Sequence, residues 1–393
     1  MMTPDGSRPN GAEQADRTDA TQKCASQAPP SQAPQSAPRS LVVIPPRFVG
    51  DAIVTVPLLR NLREQFPSSR LAVLVSRASA PLLQANPALD EVLIDERKTL
   101  KTLSVLRDFS PQVAIVLRRS VSTAALCRLA GASTVVGYNR QRWFPPLNER
   151  CWGAFLSRSL PYPALDTRRH QVDSHLDFIP VLASLFQQPL HAPMDRHLAL
   201  WVPEAVEAPM AERWRQWLGD TTAQWPNTPY AILHAVAASR EKAIDASCWV
   251  QAVQQLHQRQ WPILATGTQA DRAFYESIAA QAKVPLINLA GETSLLEMAA
   301  LLRHARVLLG LDSAPIHMAA AVGTPAIVPV FGPVNHWQWA PLAFNSQVVP
   351  VYRDGLSCRP CWAKVCEHNR CRTEITPEQI ATALEQALRH AAQ

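Results

Sequence analysis

Short, almost wholly apolar runs recur along the chain in two series, and stretches with a helical spacing of apolar residues separate most of them. The first series lies near residues 41–45, 71–76, 91–95, 113–117 and 134–138, the second near 230–235, 262–267, 286–290, 306–311 and 325–331. Runs of this length between turn residues predict strands, and their near-uniform apolar character predicts strands buried on both faces. Helices are predicted between them, including Pro57 to Gln65 and Val121 to Leu129 in the first half and about 247–259, 271–282, 294–304 and 315–322 in the second. The alternation defines an α/β fold of parallel sheets covered by helices. Two Rossmann-like domains follow, one over 41–190 and one over 229–375. The connection between them, 191–228, is richer in Pro and Trp than in periodic pattern and carries Trp214, Trp217 and Trp225. A last helix is expected over 376–393, opened by Thr376 and Pro377. Residues 1–40, rich in Pro, Ser, Gln and Ala and without apolar periodicity, are expected to form a disordered arm. No internal sequence repeat relates the two halves.

Composition agrees with this division. A chain of 393 residues exceeds the usual span of one hydrophobic core, and 47% hydrophobic residues can furnish two. The formal charge of +6, from 38 Lys and Arg against 32 Asp and Glu, is too diluted for a nucleic-acid-binding tract but suits an anionic substrate or a membrane surface. The arm lacks the apolar core of a signal peptide, and no run approaches the ~18 apolar residues of a membrane span. The expected compartment is therefore the cytoplasm.

Chemistry concentrates where two apolar runs end. After the run at 306–311 come Asp312, Ser313, Ala314, Pro315 and His317, closed by Gly323. Asp312 or Ser313 can cap a helix there, Pro315 suits its first turn and Gly323 its end. A helix start offers unpaired N–H groups and partial positive charge to a diphosphate, and a carboxylate beside it can accept from sugar hydroxyls. A capped helix of any α/β protein would read the same way. The run at 41–45 is followed likewise by Gly50 and Asp51 at a predicted helix start.

These two segments together resemble glycosyltransferase family 9, the heptosyltransferases of the lipopolysaccharide inner core, whose signatures are an N-terminal Gly-Asp and a C-terminal Asp-Ser-Gly-Pro-x-His. Ala314 stands where the family usually has Gly. The resemblance extends through Val116 to Ser120, Gly137-Tyr138, Arg169 to Asp173 and the C-terminal cysteines, covering roughly 41–390. It implies the GT-B architecture, two Rossmann-like domains facing a central cleft, with the terminal helix packing back toward the N-terminal domain. It also implies an inverting transfer of heptose from ADP-heptose to a lipid A-linked inner-core acceptor, an anionic partner at the inner membrane surface, and a peripheral association there. A family member using another donor, or a non-catalytic sugar-nucleotide or metal-binding protein on the same fold, is the alternative.

The resemblance assigns the general base to Asp51, which could otherwise cap its helix. Donor contacts are expected from Asp312, Ser313, Ala314 and His317, the last of which could equally be a core histidine. In the segment 230–242, Lys242 is the cation best placed to stabilise a departing diphosphate, with Arg240 the alternative. The family's Trp-Pro pair after this lysine is replaced by Ala243-Ile244. Two basic clusters, Arg118-Arg119 and Arg140 with Arg142, follow predicted strands, where open sheets bind ligands; they are candidates for a phosphorylated acceptor or simply a solvated surface.

Other sites are excluded. No Gly-x-Gly-x-x-Gly, phosphate-loop or Gly-x-Ser-x-Gly pattern occurs, which argues against dehydrogenases, nucleotide hydrolases and serine hydrolases. No Asp-x-Asp is present, so no cofactor is expected to be required for transfer. Cys358, Cys361, Cys366 and Cys371 fall within fourteen residues, spaced for a structural zinc or iron site, for reduced thiols or for disulfides; no catalytic role is assigned to them.

Overall fold

The computed structural model describes residues 37–118, 120–139, 155–163, 168–219, 224–361, 363 and 366–391. The arm over 1–40 falls almost entirely outside them. Two parallel sheets organise the rest. The first contains β1 (Ser40–Ile44), β2 (Arg70–Ser76), β3 (Glu91–Asp95), β4 (Val113–Val116), β5 (Thr134–Tyr138) and β6 (Arg158–Leu160), in the order β3-β2-β1-β4-β5-β6. The second contains β7 (Ala231–His234), β8 (Ile263–Ala265), β9 (Ile287–Asn288), β10 (Val307–Leu311), β11 (Ala326–Phe331) and β12 (Gln347–Val348), with β13 (Val351–Tyr352) also beside β11. Its order, β9-β8-β7-β10-β11-β12, repeats that of the first sheet. Both halves are thus doubly wound, with the switch point between β1 and β4 in one and β7 and β10 in the other.

The sheets are held by the alternation that strand geometry imposes. Along β1, Leu41 and Val43 join one core and Val42 and Ile44 another on the opposite face. Along β7, Ala231 and Leu233 face one core, Tyr230 and Ile232 the other. The predicted strands are found within a residue or two, as is the helix Val121–Leu129.

Two expectations are corrected. The terminal helix Pro377–Ala391 does not turn back to the first half: Ile380, Ala383, Leu384 and Ala387 are buried with Leu256 and Val328 in the core of the second sheet. The segment 191–228 is more than a connection, because it contains a helix, Met210–Leu218, whose Met210 and Trp214 are fully buried with Tyr230 and Leu301.

The halves touch through the helices Val49–Val54 and Ala314–Val322, with Ile53 and Val54 in one core with Ile316. Buried polar contacts reinforce this. Gln338 Nε2 donates to Gln171 Oε1 at 2.8 Å, and His170 Nε2 lies 2.9 Å from the carbonyl of Ala340. No helix among the described residues is long and apolar enough to cross a membrane.

Candidate active site

Both switch points carry the singled-out residues. β1 runs directly into the helix Val49–Val54, where Asp51 is the third residue. The cap position of this helix is Phe48, so Asp51 lies inside the first turn and is not the N-cap residue. Gly50 explains how closely the halves meet. A Cβ at this position would lie 3.3 Å from His317 Cδ2 and 3.7 Å from Ala314 Cα, so even a methyl group would press on the His317 ring.

On the other side, β10 ends at Leu311 and the helix Ala314–Val322 begins after Asp312 and Ser313. Gly310 admits the close parallel pairing of β10 with β7, since a Cβ there would come within 2.9 Å of His234 O. Ser313 occupies the cap position but bonds back to Leu311 O at 3.0 Å instead of capping. The first turn of this helix therefore has no side-chain cap, which leaves its amide dipoles available to an anion. Asp312 is buried, and its Oδ2 accepts from Lys242 Nζ at 2.7 Å, while Asp312 O accepts from the same nitrogen at 3.0 Å. An ammonium has three N–H groups, so one remains to Lys242.

Asp51 feels this pair across the contact. Burial pushes its carboxyl up to about 7, Lys242 acting to lower it and Asp312 to raise it. A carboxylate poised near neutrality suits a general base. His317 is buried; desolvation lowers it to about 3, so it is a neutral imidazole, and its Nδ1 has no partner among the described residues. It packs beneath Gly50 between the halves.

Of the remaining candidates, the Arg240 side chain, Arg119, Arg140 and Arg142 lie outside the described residues. Arg118 follows β4, and its Nη1 donates to Asp95 Oδ2 at 2.8 Å. Arg47, which the sequence did not single out, reaches the same oxygen through Nε at 2.9 Å. Its signal was a buried acidic residue, Asp95, at the end of a strand whose middle is apolar.

Of the three readings of the cysteine cluster, the described residues show reduced thiols. Among the described residues no group of three or more His, Cys, Asp or Glu could hold a metal, and Cys358, Cys361, Cys366 and Cys371 are free thiols. Cys361 Sγ accepts from Ala363 N at 3.3 Å and Cys366 Sγ from Asn369 N at 3.4 Å, so the two sulfurs serve separate turns of the loop. This segment instead braces the lysine loop, with Arg372 donating to Ala243 O at 3.1 Å.

Two parallel doubly wound halves, meeting with a carboxylate from one switch point against a lysine, a second carboxylate and an uncapped helix start from the other, define a glycosyltransferase of the GT-B architecture. The chain belongs to glycosyltransferase family 9 (heptosyltransferase), whose profile matches residues 101–371. It is 24% identical over 359 residues to lipopolysaccharide heptosyltransferase 3 of Escherichia coli, covering 87% of this chain and 96% of that one. It is 25% identical over 375 residues to lipopolysaccharide heptosyltransferase 1 of Pseudomonas aeruginosa, covering 86% and 95%. Among solved structures, a family 9 glycosyltransferase from Veillonella parvula aligns with a TM-score of 0.71 at 20% identity, covering 90% of this chain and 98% of that one. Escherichia coli ADP-heptose lipopolysaccharide heptosyltransferase II aligns with a TM-score of 0.66 at 20% identity, covering 90% and 100%.

Proposed function

We propose that this glycosyltransferase moves heptose, with inversion, from ADP-heptose to a lipid A-linked inner-core acceptor, working at the cytoplasmic surface of the inner membrane. The observation that carries the mechanism is the opposition of Asp51 to the Lys242–Asp312 pair, with the carboxyl of Asp51 held near 7. In the transfer, the acceptor oxygen attacks the anomeric carbon and its proton passes to the Asp51 carboxylate. The bond from that carbon to the diphosphate breaks, and its electron pair leaves with ADP. The free N–H of Lys242 and the Ala314 N–H at the start of the helix Ala314–Val322 meet the charge that develops on the leaving oxygen, a stabilisation realised chiefly in the transition state. Asp312 holds the lysine with Oδ2, which leaves Oδ1 to a donor sugar hydroxyl. The donor and acceptor classes rest on the names of the relatives.

The reading is tested by product formation from purified protein with a truncated lipid A-core acceptor, comparing ADP-heptose with UDP- and GDP-sugars and wild type with Asp51→Ala. Transfer from ADP-heptose in wild type, lowered at least ~100-fold in the variant, is expected. Transfer from a different donor in preference would replace the assigned sugar nucleotide.

A further inference from the structure

A second cavity, of about 500 Å³, opens at the switch point of the first sheet. Arg47 and Phe48 line it from the loop after β1, Arg97 from the loop after β3, and Arg118, Ser120 and Ser122 from the loop and helix start after β4. We propose that it is a phosphate-binding subsite, taking a phosphate monoester carried on a sugar of the acceptor. This rests on the acceptor reading above and adds to it the group recognised and the residues that recognise it.

Three arginines share the cavity with one buried carboxylate. Asp95 is saturated: Oδ1 accepts from Arg97 N at 3.1 Å and Thr102 Oγ1 at 3.0 Å, and Oδ2 from Arg47 and Arg118. Asp95 is therefore no ligand but the residue that fixes two guanidinium groups in place. Arg118 Nε is buried without a partner, and among the described residues no hydrogen bond engages the Nη groups of Arg47 or the guanidinium of Arg97. A guanidinium fork matches a phosphate's oxygens bidentately, as an ammonium does not.

The helix Val121–Leu129 starts at the cavity. Its cap, Ser120, accepts from Thr123 N, which leaves the amides of Val121 and Ser122 toward the same space. Amides, hydroxyls and guanidinium groups converge from separate loops, as an oxyanion with three terminal oxygens requires. The neighbouring ring of Phe48 is 72% exposed, an apolar plate suited to the C–H face of a sugar. Phe48 and Asp51 lie on one loop-to-helix segment, so a sugar anchored here would present a hydroxyl beside the proposed base.

The test uses the full chain, with an acceptor bearing its phosphates and the same acceptor after phosphatase treatment, for wild type, Arg97→Gln and Arg47→Gln. Both side chains are substantially exposed, so the variants should fold. With the phosphorylated acceptor, KM for the acceptor should rise at least tenfold in each variant while kcat and the donor KM stay within twofold. With the dephosphorylated acceptor, variants and wild type should coincide. Inorganic phosphate should bind wild type by calorimetry, lose affinity in Arg97→Gln, and compete with acceptor but not with donor. Equal KM shifts for both acceptors, or none for either, would overturn the subsite. If wild type transfers from no donor, the transferase reading fails by itself, and phosphate binding and its loss in Arg97→Gln still decide the subsite.

Discussion

At the scale of single residues, the environment of a carboxyl decides its task. Asp51 lies just beyond β1 and Asp95 is the last residue of β3, yet they are driven in opposite directions. Burial raises Asp51, and nothing donates strongly enough to reverse it. Burial also acts to raise Asp95, but hydrogen bonds from Arg47 and Arg118 outweigh it and hold the group well below the usual carboxylate range. A depressed pKa of this kind contributes stability that is complete above the unfolded value of about 3.9 and lost as pH falls through the folded one. Asp95→Asn should therefore cost roughly 3 kcal/mol at pH 7, because it leaves two arginines facing each other without their anion. Urea unfolding of the variant measures this, and wild-type stability at pH 7 would refute the positioning role. Asp95 was not singled out in the sequence, whereas Asp51, Lys242 and Asp312 were legible there. That Lys242 and Asp312 bind each other was not, since they stand 70 positions apart and no local pattern links them.

At the scale of elements, legibility followed burial and punctuation. Strands such as β1, apolar after Ser40, and β10 are buried on both faces, and they announce themselves. The helix Ala314–Val322 is bounded by Pro315 within its first turn and by Gly323, at φ +80°, after it. The strands β6, β12 and β13 have two or three residues each, too few for any period to show. The helix Met210–Leu218 was obscured by its Pro- and Trp-rich setting, although Trp214 is completely buried against Tyr230, ring centroids 4.6 Å apart. Trp214→Ala should cost about 3–5 kcal/mol, through the cavity it leaves beneath the second sheet. A chemical denaturation midpoint close to that of wild type would mean that this helix is a mere connection after all.

At the scale of the molecule, the two sheets share one strand order without sharing a recognisable sequence, so each half places a ligand-facing loop at its own switch point. Contact between the helices Val49–Val54 and Ala314–Val322 makes one site of the two, and the glycine at position 50 sets how closely they approach. Sequence pattern gave the halves but not this contact, nor the buried Gln171–Gln338 pair that accompanies it, because interdomain packing leaves no local period. The central claim is that Asp51, raised by burial between the halves, removes the acceptor proton. It is tested most directly by the pH dependence of kcat/KM for the acceptor. The base must be ionised to act, so kcat/KM should rise with pH to a plateau through an apparent pKa of about 7, falling about tenfold per unit below it. The residual activity of Asp51→Asn should lack this limb. A wild-type profile flat from pH 5 to 8, or the same limb retained in Asp51→Asn, would contradict the account.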